Sequence, residues 1–246
     1  MRCCRFICSR TQGKLRRLAI IPARGGSKRL PRKNILPILG KPMVAWSIEA
    51  AVQSELFERV VVSSDFDEIL EISEKYGAEA RRRAPGLSQD FSSVNEVVES
   101  ILTEELELGR SYDELFLLYA TAPLRTSDDL IAMAQILENE VTAKAVIATT
   151  KFIHYPHQAL TVTSGNQLKP MWPELIRKKA TSLPSFVVGN ASTYAIKVAE
   201  FQEYLDFFIP SGMHGYYMPF WRSVDIDTQE DYDLVCSLVA GGIKRS

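Results

Sequence analysis

Residues Leu18-Ala-Ile-Ile-Pro-Ala23, followed at once by Arg24-Gly-Gly-Ser-Lys-Arg-Leu-Pro-Arg-Lys-Asn34, decide how this chain folds. The first six are apolar and stop at a glycine pair, the pattern of a short parallel strand buried on both faces. The rest mix glycine with Arg24, Lys28, Arg29, Arg32 and Lys33 and read as a loop at that strand's carboxyl end. Ligands of open α/β sheets bind beyond the carboxyl ends of strands. Gly25 and Gly26 permit positive φ and close backbone approach, so successive amides could face phosphate oxygens. The cations compensate the charge, arginine bidentately and lysine as a point charge. The loop holds neither G-x-x-x-x-G-K-[ST] nor G-x-G-x-x-G, which argues against a P-loop ATPase and a dinucleotide enzyme. A basic surface loop, binding nothing or nucleic-acid backbone, is the plainer alternative.

Outward from this loop, helical and strand patterns alternate. Pro42–Ser54 reads as a helix, Arg59–Ser63 as a strand, and Asp65–Tyr76 as a helix closed by Gly77. Asn95–Leu106 reads as a helix and Glu114–Tyr119 as a strand. Thr126 and Asp129 form a capping box opening a helix over Asp128–Glu138, and Lys144–Thr149 is a further strand. Such alternation predicts an α/β fold, a mostly parallel sheet with helices on both faces. After about residue 150 the pattern breaks. Residues 154–185 are rich in Pro, Trp and turn signals and read as an insertion, with a hairpin around Ser164-Gly165-Asn166. Strands resume at Ser192–Val198 and Tyr217–Phe220, and the chain closes with Ser223–Asp227 and a helix from about Gln229.

Composition bounds the rest. At 246 residues and 46% hydrophobic, the chain suits one α/β domain over 17–246, with residues 1–16 as a basic N-terminal extension. No apolar run reaches the roughly 18–20 residues of a membrane span, and the N-terminus lacks a long apolar h-region. Cys3, Cys4, Cys8 and Cys236 fit neither a disulfide framework nor zinc spacing, so a cytoplasmic location is expected. The net charge of −1 hides an asymmetry: residues 1–48 carry 12 of the 29 Lys and Arg and no acid, which favours a polyanion near the early chain.

Ser223-Val-Asp225-Ile-Asp227-Thr228 is the second chemical feature. Extended residues two apart share a face, so Asp225 and Asp227 can converge while Ile226 enters the core. With a shared phosphate ligand they could hold Mg²⁺. Locally, Thr228 and Asp231 also spell a capping box, which asks nothing of Asp225.

The segment IIPARGGSKRLPRKN resembles the opening signature of the acylneuraminate cytidylyltransferase family, and the likeness extends over residues 18–240. It implies a Rossmann-like, nucleotide-diphospho-sugar transferase-like fold with a small dimerisation insertion at about 150–190. It also implies CTP as co-substrate and an acidic nine-carbon sugar as acceptor, with no nucleic-acid or membrane partner. By the resemblance, the loop from Ala23 to Asn34 holds the triphosphate. Arg24, Gly25, Gly26, Ser27 and Lys28 cradle it, Lys33 stabilises the leaving pyrophosphate, and Asn34 contacts nucleotide. Val62-Ser-Ser-Asp65 and the block from Arg83 through Ser88 to Asp90 match cytidine-pocket segments, although Ser63 and Ser64 equally suit helix caps and the family's usual proline is Ala84 here. Asp225 and Asp227 match the D-x-D that coordinates Mg²⁺. Tyr119-Ala-Thr-Ala-Pro-Leu-Arg125 falls where the acceptor sugar sits, and Arg125 or Lys169 offers a cation to its carboxylate. Tyr119 and Lys169-Pro-Met-Trp-Pro-Glu174 resemble the pseudaminic branch. Asn190 and Tyr194 of Val188-Gly-Asn-Ala-Ser-Thr-Tyr194 lie nearer the sialic pattern, which leaves the sugar open. Phe152, Tyr155, Met171 and Trp172 could pack across a homodimer axis or fold back as a satellite core. Two relations of the reading also stand: transfer to an eight-carbon sugar acid, and a nucleotide-binding protein of this fold that has lost activity.

Overall fold

The computed structural model describes residues 15–87 and 93–242. The elements are β1 (Arg17–Pro22), β2 (Pro37–Ile38), β3 (Lys41–Pro42), α1 (Met43–Gln53), β4 (Arg59–Ser64), α2 (Asp67–Lys75), β5 (Glu79–Arg82), α3 (Val94–Glu107), β6 (Glu114–Leu118), α4 (Ser127–Asn139), β7 (Ala145–Lys151), β8 (Leu160–Val162), β9 (Leu168–Pro170), β10 (Val187–Lys197), α5 (Val198–Tyr204), β11 (Met213–Tyr217) and α6 (Gln229–Ala240).

Seven strands form one sheet in the order β11-β7-β10-β6-β1-β4-β5. β1 pairs parallel with β4 and β6, β4 with β5, and β7 with β11. Only β10 opposes its neighbours β6 and β7. The apolar run read as β1 lies at the centre, buried on both sides. Ala19 and Ile21 face a core built with Val44 and Ile48 of α1, Ile69 of α2 and Leu130 and Met133 of α4. Leu18 and Ile20 face Val97, Val98 and Ile101 of α3 and Phe201 of α5. A third cluster joins Val235 of α6 to Ile38, Met43, Trp46 and Ile226. It seats the C-terminal segment against the β2–β3 ribbon, so residues nearly 200 apart in sequence share one site.

The expected strands and helices are present within a few residues of their predicted bounds, with three differences. The strand expected at Tyr217–Phe220 lies earlier, as β11 at Met213–Tyr217, because Pro219 cannot donate to a ladder and Phe220–Arg222 turns into a single 3₁₀ turn. β2, β3, β5 and α5 were not anticipated: Pro37–Ile38 and Lys41–Pro42 are two residues each, Glu79–Arg82 is too charged, and Val198–Tyr204 too short, to show a clear period. Arg16, assigned to the extension, already joins the fold. Its amide donates to Asp113 Oδ2 at 2.8 Å and its Nε to Glu58 Oε2 at 2.8 Å. The hairpin appears as β8–β9, where Gly165 and Asn166 both take positive φ in the turn, as the Ser164-Gly165-Asn166 reading requires. Among the described residues no helix is long and apolar enough to cross a membrane.

Candidate active site

A cleft of about 370 Å³ opens where the carboxyl ends of β1 and β6 meet α3 and the segment before α6. Arg24, Lys33 and Asn34 of the basic loop line one wall, and Arg83 joins them from beyond β5. Tyr119 and Thr121 enter from the end of β6, and Asp225 and Asp227 from the C-terminal segment. Ser93, Val94 and Val97 of α3 close the remaining side with Leu87. Residues from five separate stretches thus converge because parallel strands end on one edge of the sheet.

The loop reaches the cleft by a different geometry from that expected of its glycines. Neither Gly25 nor Gly26 takes positive φ; the left-handed residue is Arg32, at φ 56°. The Ala23 amide donates to Ser63 O at 2.9 Å and the Gly25 amide to Asp65 Oδ1 at 2.8 Å, so both are committed to the fold rather than to phosphate. Gly25 is required for closeness instead: a Cβ there would stand 2.7 Å from Phe66 Cβ. Gly26 and Lys28 are exposed, Ser27 is half-buried, and none of the three lines the cleft. Asn34 is buried, donates to Arg24 O at 2.8 Å, and leaves its Oδ1 without a hydrogen bond.

Arg83 is buried and donates to Ser63 O at 2.8 Å and to Ser63 Oγ at 3.3 Å. Burial, with Arg24 close by, pushes its guanidinium below the ordinary arginine value, against the pull of Asp65. A buried cation in this state gains from any anion brought to it. Ser63 therefore serves as the holder of Arg83. Ser64 makes a local turn, its Oγ accepting the Phe66 amide at 3.1 Å. Ser88 lies outside the described residues.

The two aspartates differ sharply. Ile226 is fully buried between them, so the alternation predicted for this segment holds although the segment pairs with no strand. Ile226 N donates to Thr121 O at 2.9 Å and fixes its register. Burial pushes the Asp225 carboxyl up, with Asp227 adding repulsion and Thr121 and Lys33 opposing, and its Oδ1 is buried without a hydrogen bond. Asp227 is held below the carboxylate range. Partial burial would raise it, but the hydrogen bond and charge of Lys33, with Arg29, outweigh that effect. Lys33 Nζ lies 2.6 Å from Asp227 Oδ1, and Arg29 Nη2 lies 2.7 Å from Oδ2. The capping box of Thr228 and Asp231 is also present, and it engages Asp231 without involving the Asp225 carboxylate. Among the described residues, no group of three or more His, Cys, Asp or Glu is arranged around a common point. Two carboxylates alone would leave a hard divalent cation to take its other ligands from phosphate and water. The orphaned oxygen of Asp225 is the observation that favours this fit.

Of the residues expected near the sugar, Tyr119 lines the cleft, and burial beside Tyr194 and Asp225 pushes its phenol up to about 12. Tyr194 packs edge-on against it at 5.9 Å between ring centres and also meets Phe207 and Phe208. Arg125 and Asn190 do not line the cleft. Arg125 is only 1% exposed, donating to Ser47 Oγ at 2.6 Å, Tyr119 O at 3.2 Å and the Ser192 carbonyl. It ties the 119–125 loop to α1 and β10. Asn190 donates to Ser223 Oγ at 2.9 Å and accepts the Ser192 amide at 3.1 Å across a bulge in β10, with Ala191 at positive φ. Lys169 is exposed on the β8–β9 hairpin. Sequence reasoning passed over Thr121 and the α3 residues Ser93, Val94 and Val97. Ser93-x-x-Glu96 is a capping box legible in the sequence, and it marks where α3 opens onto the cleft.

The chain resembles known proteins in sequence and in fold. A cytidylyltransferase family model matches residues 18–172. A pseudaminic acid cytidylyltransferase of Campylobacter jejuni is 36% identical over 222 residues, 89% of this chain and 94% of that protein. A CMP-N,N'-diacetyllegionaminic acid synthase of Legionella pneumophila is 31% identical over 92% of this chain and 97% of that protein. A CMP:2-keto-3-deoxy-manno-octonic acid synthetase solved with CTP shares the fold, with TM-score 0.68 at 18% identity over 93% of this chain and all of that one.

Proposed function

From the premise that this chain belongs to the cytidylyltransferase family, we propose that it transfers CMP from CTP to an acidic nine-carbon sugar and releases pyrophosphate. The observation that carries the reading is the convergence of Arg24, Lys33 and Arg83 with Asp225 and Asp227 in one cleft. A cation-lined cleft with two carboxylates suits a triphosphate paired with a divalent ion; without such an ion, two acids would repel the same polyanion. The relatives named for pseudaminic and diacetyllegionaminic acids cover nearly their whole length and support an acceptor of the same class.

In this reading the sugar's anomeric hydroxyl oxygen bonds to the α-phosphorus of CTP as the bond to the β-phosphate oxygen breaks in line with it. The hydroxyl proton leaves to solvent or a neighbouring base, and the electron pair departs on pyrophosphate. Arg24 and Lys33 hold the phosphates and neutralise charge building on the leaving group. Mg²⁺ bound at Asp225 and Asp227 would supply further neutralisation at the phosphates. Arg83, held by Ser63, and Asn34 Oδ1 face the nucleotide, and Tyr119 with Tyr194 behind it bounds the acceptor side. Arg125 acts here as a positioning residue, because its guanidinium is spent on the backbone that presents Tyr119. The chain contributes orientation and electrostatics, with no covalent intermediate.

A homodimer accords with the insertion. Ile153, Tyr155, Met171, Trp172 and Phe186 are exposed, and Ile153, Tyr155 and Phe186 line one groove with Phe152 and Phe220.

The test is Mg²⁺-dependent pyrophosphate release from CTP, with pseudaminic, legionaminic and sialic acids offered separately. Release with one of them is expected and names the acceptor. Tight CTP binding with no release from any of the three would shift the acceptor to another 2-keto-3-deoxy sugar acid or mark the activity as lost. Absence of both binding and release would remove the reading.

A further inference from the structure

Asp227 has both carboxylate oxygens engaged by cations of the nucleotide loop, whereas its neighbour Asp225 keeps a buried oxygen open. The two contacts to Asp227 are unequal. The Lys33 side chain is 16% exposed and also donates to Ile226 O at 3.0 Å, so it is seated between the aspartates' backbone and the Asp227 carboxylate. The Arg29 side chain is 67% exposed and reaches Asp227 from the solvent side. Asp227 itself is 34% exposed, so the ion pairs, not burial, restrict access to it. A divalent cation that used both aspartates would meet an ammonium group already in contact with one of them, and like charges at such distances repel strongly.

Lys33 also faces its own cleft. It lines the wall shared with Arg24 and Arg83, where a triphosphate would lie. Phosphate oxygens would accept the ammonium hydrogen bonds now made to Asp227 and leave that carboxylate open at the moment the polyanion arrives. Binding of nucleotide and binding of the cation are then linked, and such linkage is reciprocal.

We propose that Lys33, assisted by Arg29, closes the Asp225–Asp227 pair to divalent cations until a nucleoside triphosphate draws the lysine away, so that the ion is taken up with the nucleotide and not before it. This rests on the nucleotide and metal reading above. It adds an order of binding and gives Lys33 a second role that is exercised before any chemistry.

The probe is Mn²⁺, with the free ion measured by its electron paramagnetic resonance signal and no sugar present. For the unaltered protein, weak uptake of Mn²⁺ alone is expected, and with CTP at least about tenfold tighter uptake onto the protein, over and above the Mn²⁺ that the same CTP binds without protein. Lys33→Met should take up Mn²⁺ alone about tenfold more tightly than the unaltered protein, and Arg29→Gln should show a smaller gain in the same direction. The gain should vanish in Lys33→Met combined with Asp227→Asn. Arg29 is exposed and its replacement leaves the core intact, so the direction of change can be read from that variant even where Lys33→Met folds poorly. Equal Mn²⁺ affinity of all three proteins without nucleotide overturns the gate. If the unaltered protein still binds Mn²⁺ with CTP in that case, the catalytic reading survives. If it binds Mn²⁺ in neither condition, both fall.

Discussion

At Gly25 the difference between a hydrogen atom and a methyl group decides whether the nucleotide loop can lie where it does. Its amide is tied to Asp65, and a Cβ would meet Phe66 Cβ at 2.7 Å and Cγ at 2.9 Å. Those atoms belong to the root of a side chain at the start of α2 and have little freedom to retreat, so the loop must move. Gly25→Ala is expected to cost about 1–3 kcal/mol of overpacking, taken up chiefly as displacement of Arg24. Titration calorimetry with CTP would show affinity reduced at least severalfold, while Gly26→Ala, which meets nothing within 4 Å, should bind as the unaltered protein does. Equal affinities for both variants would show that the Phe66 contact does not position the loop. The sequence displayed the glycine pair but not which partner each glycine approached, because Phe66 is 41 residues away and only the pairing of β1 with β4 brings them together. Arg125 was misleading for a similar reason. A conspicuous cation at a strand's carboxyl end looks like a ligand until Ser47, Tyr119 and Ser192 are seen to occupy it.

Helix α4 shows how one element's cap can hold another segment in place. Thr126 and Asp129 form the capping box that the sequence announced, but Asp129 also takes a two-pronged contact from Arg222, at 2.6 and 2.9 Å, and the Tyr216 hydroxyl at 2.9 Å. Arg222 stands three residues before Asp225, so this pair anchors the stretch that carries both aspartates. Asp129 is buried, which alone would raise its pKa, yet Arg222 and the Thr126 hydrogen bond lower it overall. A carboxyl whose folded pKa is depressed contributes stability in full above its unfolded value and loses it as pH falls through the folded value. Removing one member of a buried pair typically costs about 3–5 kcal/mol. Asp129→Asn should therefore be destabilised by roughly that amount in urea at about pH 7, and the gap to the unaltered protein should narrow as the pH drops below about 4. A gap that stayed constant down to the acid transition would mean that the carboxylate's charge does not stabilise the fold. Capping boxes are legible because they lie within four residues of chain. The Arg222 contact is not, since it spans 93 residues.

On the scale of the whole molecule, the alternating pattern made the sheet and its two covered faces legible, because a parallel strand must be apolar on both sides wherever helices cover it. The reversed β10 and its bulge were hidden: strand periodicity carries no direction, and the Gly189–Thr193 irregularity breaks it. The insertion was recognised by the loss of pattern alone. In the structure it forms the β8–β9 hairpin, most of whose residues are exposed. Exposed Ile153, Tyr155 and Phe186 line one groove with Phe152 and Phe220, and Met171, Trp172 and Trp221 are exposed as well. Apolar side chains gathered along an exposed groove usually serve association, and a two-fold interface would bury the same patch on both copies. Sedimentation of the unaltered protein is accordingly expected at twice the monomer mass. Tyr155→Glu together with Phe186→Glu would place charges in the groove and should shift it to the monomer, with little change in the thermal unfolding of the sheet core, which lies elsewhere. CTP affinity should survive in that monomer, because every residue lining the cleft comes from outside the insertion. A variant that remained dimeric would move the interface away from this face, and loss of CTP affinity on dissociation would show that the nucleotide cleft depends on the second copy.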